Sequence, residues 1–311
     1  MVRLKAVVAA GIVGGLWLLN RRLGRGRRLP LGLGGEARRF MWRGRKLAYS
    51  VAGEGEPLLL VHGIYAGASS LEFRENFEEL SGNFQVYALD LLGCGLSEKP
   101  RQRYGPEDVA SQVEDFVREE IGAGVHLVAS SLTAALIVPA AVRSPKLFKK
   151  IVLICPTGYG TLDRPSGPLG DAVLGLFRVP VLGETLYHAL VSRAGIRYYL
   201  ETMAYHDPAL VTEGVIEDYH RAGHEPGSRH FPASFIAGKL NLGISDLWPR
   251  VPHKSLVCWG QKAETVPGSD KKHFTRNNPR SEPRVFRDAA LLPHVERAET
   301  FNEEVRKFLM N

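Results

Sequence analysis

His126-Leu127-Val128-Ala129-Ser130-Ser131-Leu132-Thr133-Ala134-Ala135-Leu136 is the stretch whose reading decides the fold. A short apolar strand, His126 to Ala129, runs straight into two serines with no intervening loop. The same kind of run recurs to either side. Leu58-Leu59-Leu60-Val61 is continuously apolar and stops at His62-Gly63, as expected for a strand buried on both faces. Phe84 to Asp90 reads as the next strand, and Pro106 to Glu119 has helical spacing, with Val109, Val113 and Phe116 on one side. Ile151 to Cys155 and Ser255 to Trp259 are later strands, stopped by Pro156 and Gly260. A helix from Ala298 to Leu309 closes the chain. From Phe40 onward, short strands alternating with helical stretches predict an α/β domain whose mostly parallel sheet has helices on both faces.

Composition narrows the function classes. With 311 residues, 44% hydrophobic and 23% charged, the chain is of globular rather than disordered or fibrous type. Its net charge of +7 is concentrated at one end. Residues 1–50 carry twelve Lys or Arg against the single acid Glu36, while the remainder carries 28 bases and 32 acids. A slightly acidic body behind a basic leader argues against nucleic acid as a ligand, because phosphate binding needs a basic face on the folded domain. Cys94, Cys155 and Cys258 are too few and too scattered for a disulfide framework, and none has metal-ligand spacing. No cofactor is expected: a Gly-rich phosphate loop with its Lys and an HExxH segment are both lacking.

The leader, residues 1–28, is expected to associate with membranes. Ala6 to Leu19 is a run of fourteen uncharged residues, short of the roughly twenty that cross a bilayer core. Asn20-Arg21-Arg22 follows directly, with no small-residue cleavage site, which favours a retained anchor over a removed signal. Arg21, Arg22, Arg25, Arg27 and Arg28 outweigh Arg3 and Lys5, so the positive-inside rule places the body in the cytoplasm. Anionic headgroups would reinforce that orientation.

Residues 40–159 and 249–311 read as two parts of one core, and 160–248 as a helical lid between them, rich in Gly, Pro, His and Tyr. Four stretches resemble the lidded α/β hydrolases, which include epoxide hydrolases, proline iminopeptidases and esterases. LLLVHG at 58–63 is similar to the strand and turn that supply part of an oxyanion hole. YALDLLGCGLSEKP at 87–100 is similar to the D-x-x-G-x-G-x-S segment, in which Asp90 is a structural residue of the turn. LVASSLTAAL at 127–136 resembles the nucleophile elbow, and LPHVERAETFNEEVRKFL at 292–309 the closing helix. The resemblance implies a nucleophile at Ser131, with the backbone N–H groups of Ile64 and Leu132, aided by the Tyr65 hydroxyl, facing the developing oxyanion. An elbow needs small residues two positions either side of the serine; Ala129 suits this and the β-branched Thr133 suits it less.

The other two members of a triad depart from the pattern. The resemblance implies an acid three residues beyond Gly260, where Ala263 stands with Glu264 beside it, and a base where Leu291 stands, three residues before His294. Three alternatives are open. The triad is relocated as Ser131, His294 and Glu264, hydrolysing a hydrophobic small-molecule ester. Or the fold no longer cleaves and acts as a ligand-binding or scaffolding protein. Or lid histidines, drawn from His188, His206, His220, His224 and His230, perform acid–base work, although most histidines in such a region are bystanders. No metal is expected in any of the three.

Overall fold

The computed structural model describes residues 2–24, 29, 32–263 and 268–311. In chain order the elements are α1 (Val2–Leu23), β1 (Glu36–Trp42), β2 (Arg45–Ala52), β3 (Pro57–Val61), α2 (Phe77–Ser81), β4 (Gln85–Leu89), α3 (Pro106–Asp115), β5 (Val125–Ser130), α4 (Ser131–Leu136), α5 (Val138–Arg143) and β6 (Phe148–Ile154). Five helices follow, α6 (Pro168–Arg178), α7 (Leu182–Leu190), α8 (Arg193–Tyr199), α9 (Glu213–His224) and α10 (His230–Ile236). The chain then returns to the sheet as β7 (Ser255–Gly260), α11 (Gly268–Arg276), β8 (Ser281–Phe286), α12 (Pro293–Glu296) and α13 (Ala298–Met310).

The strands form one sheet of eight in the order β1-β2-β4-β3-β5-β6-β7-β8. β1 and β2 pair antiparallel, β2 pairs antiparallel with β4, and every other pairing is parallel. The expected mostly parallel sheet is therefore present, with an antiparallel pair on one edge. The continuous apolar runs explain its centre. Leu59, Val61, Leu127, Ala129, Leu153 and Val257 face one cluster, and Leu58, Leu60, Val128, Val152, Ile154 and Leu256 face the other. Side chains alternate across a strand, so a strand with no polar position must be covered twice. Val109 and Val113 of α3 cover the first face; Phe77 of α2 with Phe301 and Val305 of α13 cover the second.

Between β6 and β7 no strand occurs among the described residues; the regular elements of that insertion are all helices. α1 packs against it at α7. Asn20, buried, donates from Nδ2 to the Val181 carbonyl and to Thr185 Oγ1, both at 3.0 Å, which fixes the end of α1 on α7. Among the described residues no helix is long and apolar enough to cross a membrane.

Candidate active site

β5 is hydrogen-bonded between β3 and β6 and is buried along its whole length. Ser130 is still extended, but Ser131 has φ +55°, and α4 begins there. A non-glycine residue in the left-handed region costs on the order of 1–2 kcal/mol, which the flanking strand and helix must hold in place. This is the sharp strand-to-helix bend that the sequence implied, and it leaves Ser131 half-buried while Leu132 is fully buried. Thr133 fits because its hydroxyl is used: Oγ1 donates to the His62 carbonyl at 2.8 Å and so ties the first turn of α4 to the end of β3. Gly63 is constrained from the opposite side. A Cβ there would stand 3.3 Å from Ser131 Cβ, 3.3 Å from Glu72 Oε2 and 3.4 Å from Ser130 Oγ, so the backbone passes where a side chain would crowd the serines.

Those distances also place a carboxylate beside the elbow. Glu72 sits in a 3-10 turn, Ser70–Phe73, that follows β3. Its Oε2 accepts the Gly63 N–H and the Tyr65 hydroxyl, each at 2.9 Å, and its Oε1 lies 3.1 Å from His294 Nε2. Both side chains are fully enclosed. The approach lies off the ring N–H direction, so this contact is a close polar approach rather than an aligned hydrogen bond. Burial by itself would lift the Glu72 carboxyl; His294, with Ser130 and His62 close by, outweighs it and holds the group down at about 2. The His294 ring lies against Phe73 and Phe301, with centroids at 5.2 and 5.7 Å. Asn76 Nδ2 holds its backbone carbonyl at 2.8 Å.

The segment around Asp90 positions this carboxylate. Asp90 Oδ1 accepts the Ser70 N–H and Oδ2 the Leu96 N–H, both at 2.7 Å. Gly95 has φ +47°, and a Cβ on it would strike the Asp90 carboxylate at 2.2 Å. Asp90 is thus a structural residue of its turn, and through Ser70 it fixes the start of the turn that carries Glu72.

The remaining candidates distribute as follows. Ala263 is buried where the family places an acid, its N–H on the Gly260 carbonyl at 3.2 Å; Glu264 lies outside the described residues. Leu291 is partly buried against the apolar core. Ile64 is buried beside Gly63, and the Tyr65 hydroxyl is engaged by Glu72 while its ring stacks on Tyr219 at 5.2 Å and 17°. Burial first, then the neighbouring Glu72, pushes the Tyr65 hydroxyl pKa well up, so it remains a donor. Of the histidines in the insertion, His188, His224 and His230 line a separate cavity of about 280 Å³ at the α1 seam, together with Asn20, Arg21 and Arg229. Burial pushes His188, His220 and His230 down to about 4, so they are neutral at pH 7. His206 contributes its backbone N–H to Glu296. Among the described residues no cluster of His, Cys, Asp and Glu could hold a metal ion. Sequence reasoning missed Glu72: nothing nearby marks it, since its partner lies 222 positions away.

A parallel sheet, a serine on a left-handed strand-to-helix bend and a helical insertion after β6 together define the α/β-hydrolase architecture. The chain belongs to the alpha/beta hydrolase family, whose model matches residues 58–304. It is 26% identical over 255 residues to the uncharacterized hydrolase YugF of Bacillus subtilis, covering 82% of this chain and 90% of that one. It is also 26% identical over 266 residues to the 2-hydroxymuconate semialdehyde hydrolase of Pseudomonas putida, covering 83% and 88%. Among solved structures, a membrane phospholipase A superposes with a TM-score of 0.72 at 21% identity over 99% of this chain and 96% of that one.

Proposed function

We propose that the chain is a serine hydrolase acting on a hydrophobic small-molecule ester, with Ser131 as nucleophile, His294 as base and Glu72, rather than Glu264, as the carboxylate that orients the base. The observation that carries this reading is the backbone of Ser131, which turns from β5 into α4 through a left-handed residue, the conformation of a nucleophile elbow. Glu72 is preferred on contact: it approaches both the Gly63–Ser131 junction and His294. In the reaction, Ser131 Oγ attacks the ester carbonyl carbon as its proton passes to His294. The bond to the alcohol oxygen then breaks, and the alcohol leaves with that proton. Water repeats the sequence on the acyl-serine, releasing the acid and restoring the hydroxyl. The N–H groups of Leu132 and Ile64 stabilise the oxyanion, while Tyr65 positions Glu72. The helical insertion serves as the lid.

A second reading has its own observation. Glu72 already takes the Gly63 N–H and the Tyr65 hydroxyl, and Ala263 and Leu291 stand at the family's acid and base positions. That arrangement suits a pocket that holds a ligand without cleaving it. Hydrolysis of p-nitrophenyl esters of increasing acyl length separates the two. The first reading predicts turnover that rises with chain length and vanishes in Ser131→Ala; equal background rates in both proteins would select the second.

The leader is proposed to bring the body to a membrane surface on its cytoplasmic side. Exposed Val13, Trp17, Leu18 and Leu19 on α1, flanked by Arg21 and Arg22, support this.

A further inference from the structure

We infer that the α6–α7 hairpin is a second membrane-contacting surface, so that the chain rests on a lipid bilayer through both α1 and its lid and takes its ester from the lipid phase. The inference deepens the membrane reading of the leader and rests on it.

Seventeen large hydrophobic residues are exposed among the described residues. Ten of them lie on two joined elements: Val13, Trp17, Leu18, Leu19 and Leu23 on α1, and Leu169, Leu176, Val179, Leu182 and Leu190 on or beside α6 and α7. The other seven are scattered over the fold, as single exposed apolar residues usually are. α6 packs on α7, and α7 receives the Asn20 clamp from α1, so the three helices lie side by side with their apolar residues outward. Leu169 is 80% exposed, which no packing within the chain explains.

Charge is sparse along the hairpin. From Pro168 to Leu190 the charged residues are Asp171, Arg178 and Glu184, with His188 buried. Asp171 is paired with Arg103 and Lys239, and Glu184 faces Arg229 at 3.6 Å. Exposed apolar residues concentrated on joined helices are the kind of surface that marks an interaction site.

Two features favour a bilayer over a protein partner. The exposed part of α1 is apolar over about two thirds of its circumference, since Gly11, Val13, Gly14, Gly15, Trp17, Leu18 and Leu19 are exposed and successive residues point about 100° apart, the remaining side being the one that Asn20 turns to α7. A protein would cover one side of such a helix; lipid covers the whole of that arc. The second feature is length. Fourteen apolar residues extend about 21 Å, short of the roughly 30 Å hydrocarbon core, so an inserted α1 holds the clamped α7 down at the interface rather than away from it. Arg21, whose guanidinium stands 4.7 Å over the Trp17 ring, then lies at headgroup level, where anionic lipid suits it.

The test uses the full chain with vesicles of phosphatidylcholine and phosphatidylglycerol. Leu176→Cys carries an environment-sensitive fluorophore, and Glu303→Cys on α13 serves as the reference; the native cysteines are buried. The expected result is a blue shift at position 176, with quenching by nitroxides on the acyl chains, and neither at 303. The double variant Leu182→Asp/Leu190→Asp should bind vesicles about tenfold or more weakly, since each inserted leucine contributes roughly a factor of ten, while turnover of a soluble short-chain ester is unchanged. If the chain binds vesicles but position 176 stays in water, the lid inference falls and the leader reading stands. If the chain does not bind vesicles, both fall. A blue shift without lipid that grows with protein concentration would mean that a second copy covers this face, and would overturn the inference.

Discussion

The ends of β3 and β7 lie across one sheet, and the two differ in what they carry. Beyond β7 the family's acid position holds Ala263, buried and uncharged. Beyond β3 the chain supplies Glu72, enclosed and 3.1 Å from His294. A histidine presented from α12 can be met by a carboxylate from either side, so the fold does not dictate which strand provides it. Position in space, not order along the chain, defines the pair.

The largest test of this comparison is Ser131→Ala, which should lower kcat by at least about a thousandfold while leaving the melting temperature close to that of the parent protein. Glu72→Gln comes next. It keeps the shape but removes the carboxylate that the Gly63 N–H, the Tyr65 hydroxyl and His294 share, and weakening that buried polar cluster costs about 1–3 kcal/mol, measurable by denaturant unfolding. If β3 supplies the working acid, the same variant should lose about as much turnover as Ser131→Ala; if Glu264 does, turnover per folded molecule should survive.

The acid limb of stability sharpens this. The Glu72 carboxyl is held at about 2 in the folded chain, below its usual value of 4.5. Its contribution is therefore fully present above pH 4.5 and is lost as the pH falls from there toward 2. Unfolding curves across that window should steepen with acidity more in the parent protein than in Glu72→Gln, and matching slopes would contradict the pairing.

Smaller effects follow. Thr133→Val leaves the His62 carbonyl without its donor and should cost about 1–2 kcal/mol in the same unfolding measurement. Asn20→Ala should change the stability of the body by no more than about 1 kcal/mol. Its visible effect is release of α1, read as faster tryptic cleavage after Arg21 and Arg22.

The sheet centre was legible because β3, β5, β6 and β7 need apolar residues on both faces, a pattern with no competing explanation. β8, Ser281–Phe286, was not anticipated, and β1 begins four residues ahead of the expected start of the body at Phe40. These are edge strands: Arg38, Arg39, Glu282 and Arg284 face solvent there, and charge at an edge conceals a strand as it protects it from pairing. The elbow was legible because its tight turn needs local small residues. Glu72 was not, because the link from Asp90 to Ser70 and from Glu72 to His294 is tertiary and leaves no local spacing to read.

The most direct measurement is the rate at which a fluorophosphonate modifies Ser131, followed by peptide mass spectrometry, in the parent protein and in Glu72→Gln. A single adduct on Ser131 in the parent, formed at least about a hundredfold more slowly in the variant, is the predicted outcome. No adduct on Ser131, or equal rates in the two proteins, would contradict a nucleophile served by the Glu72–His294 pair.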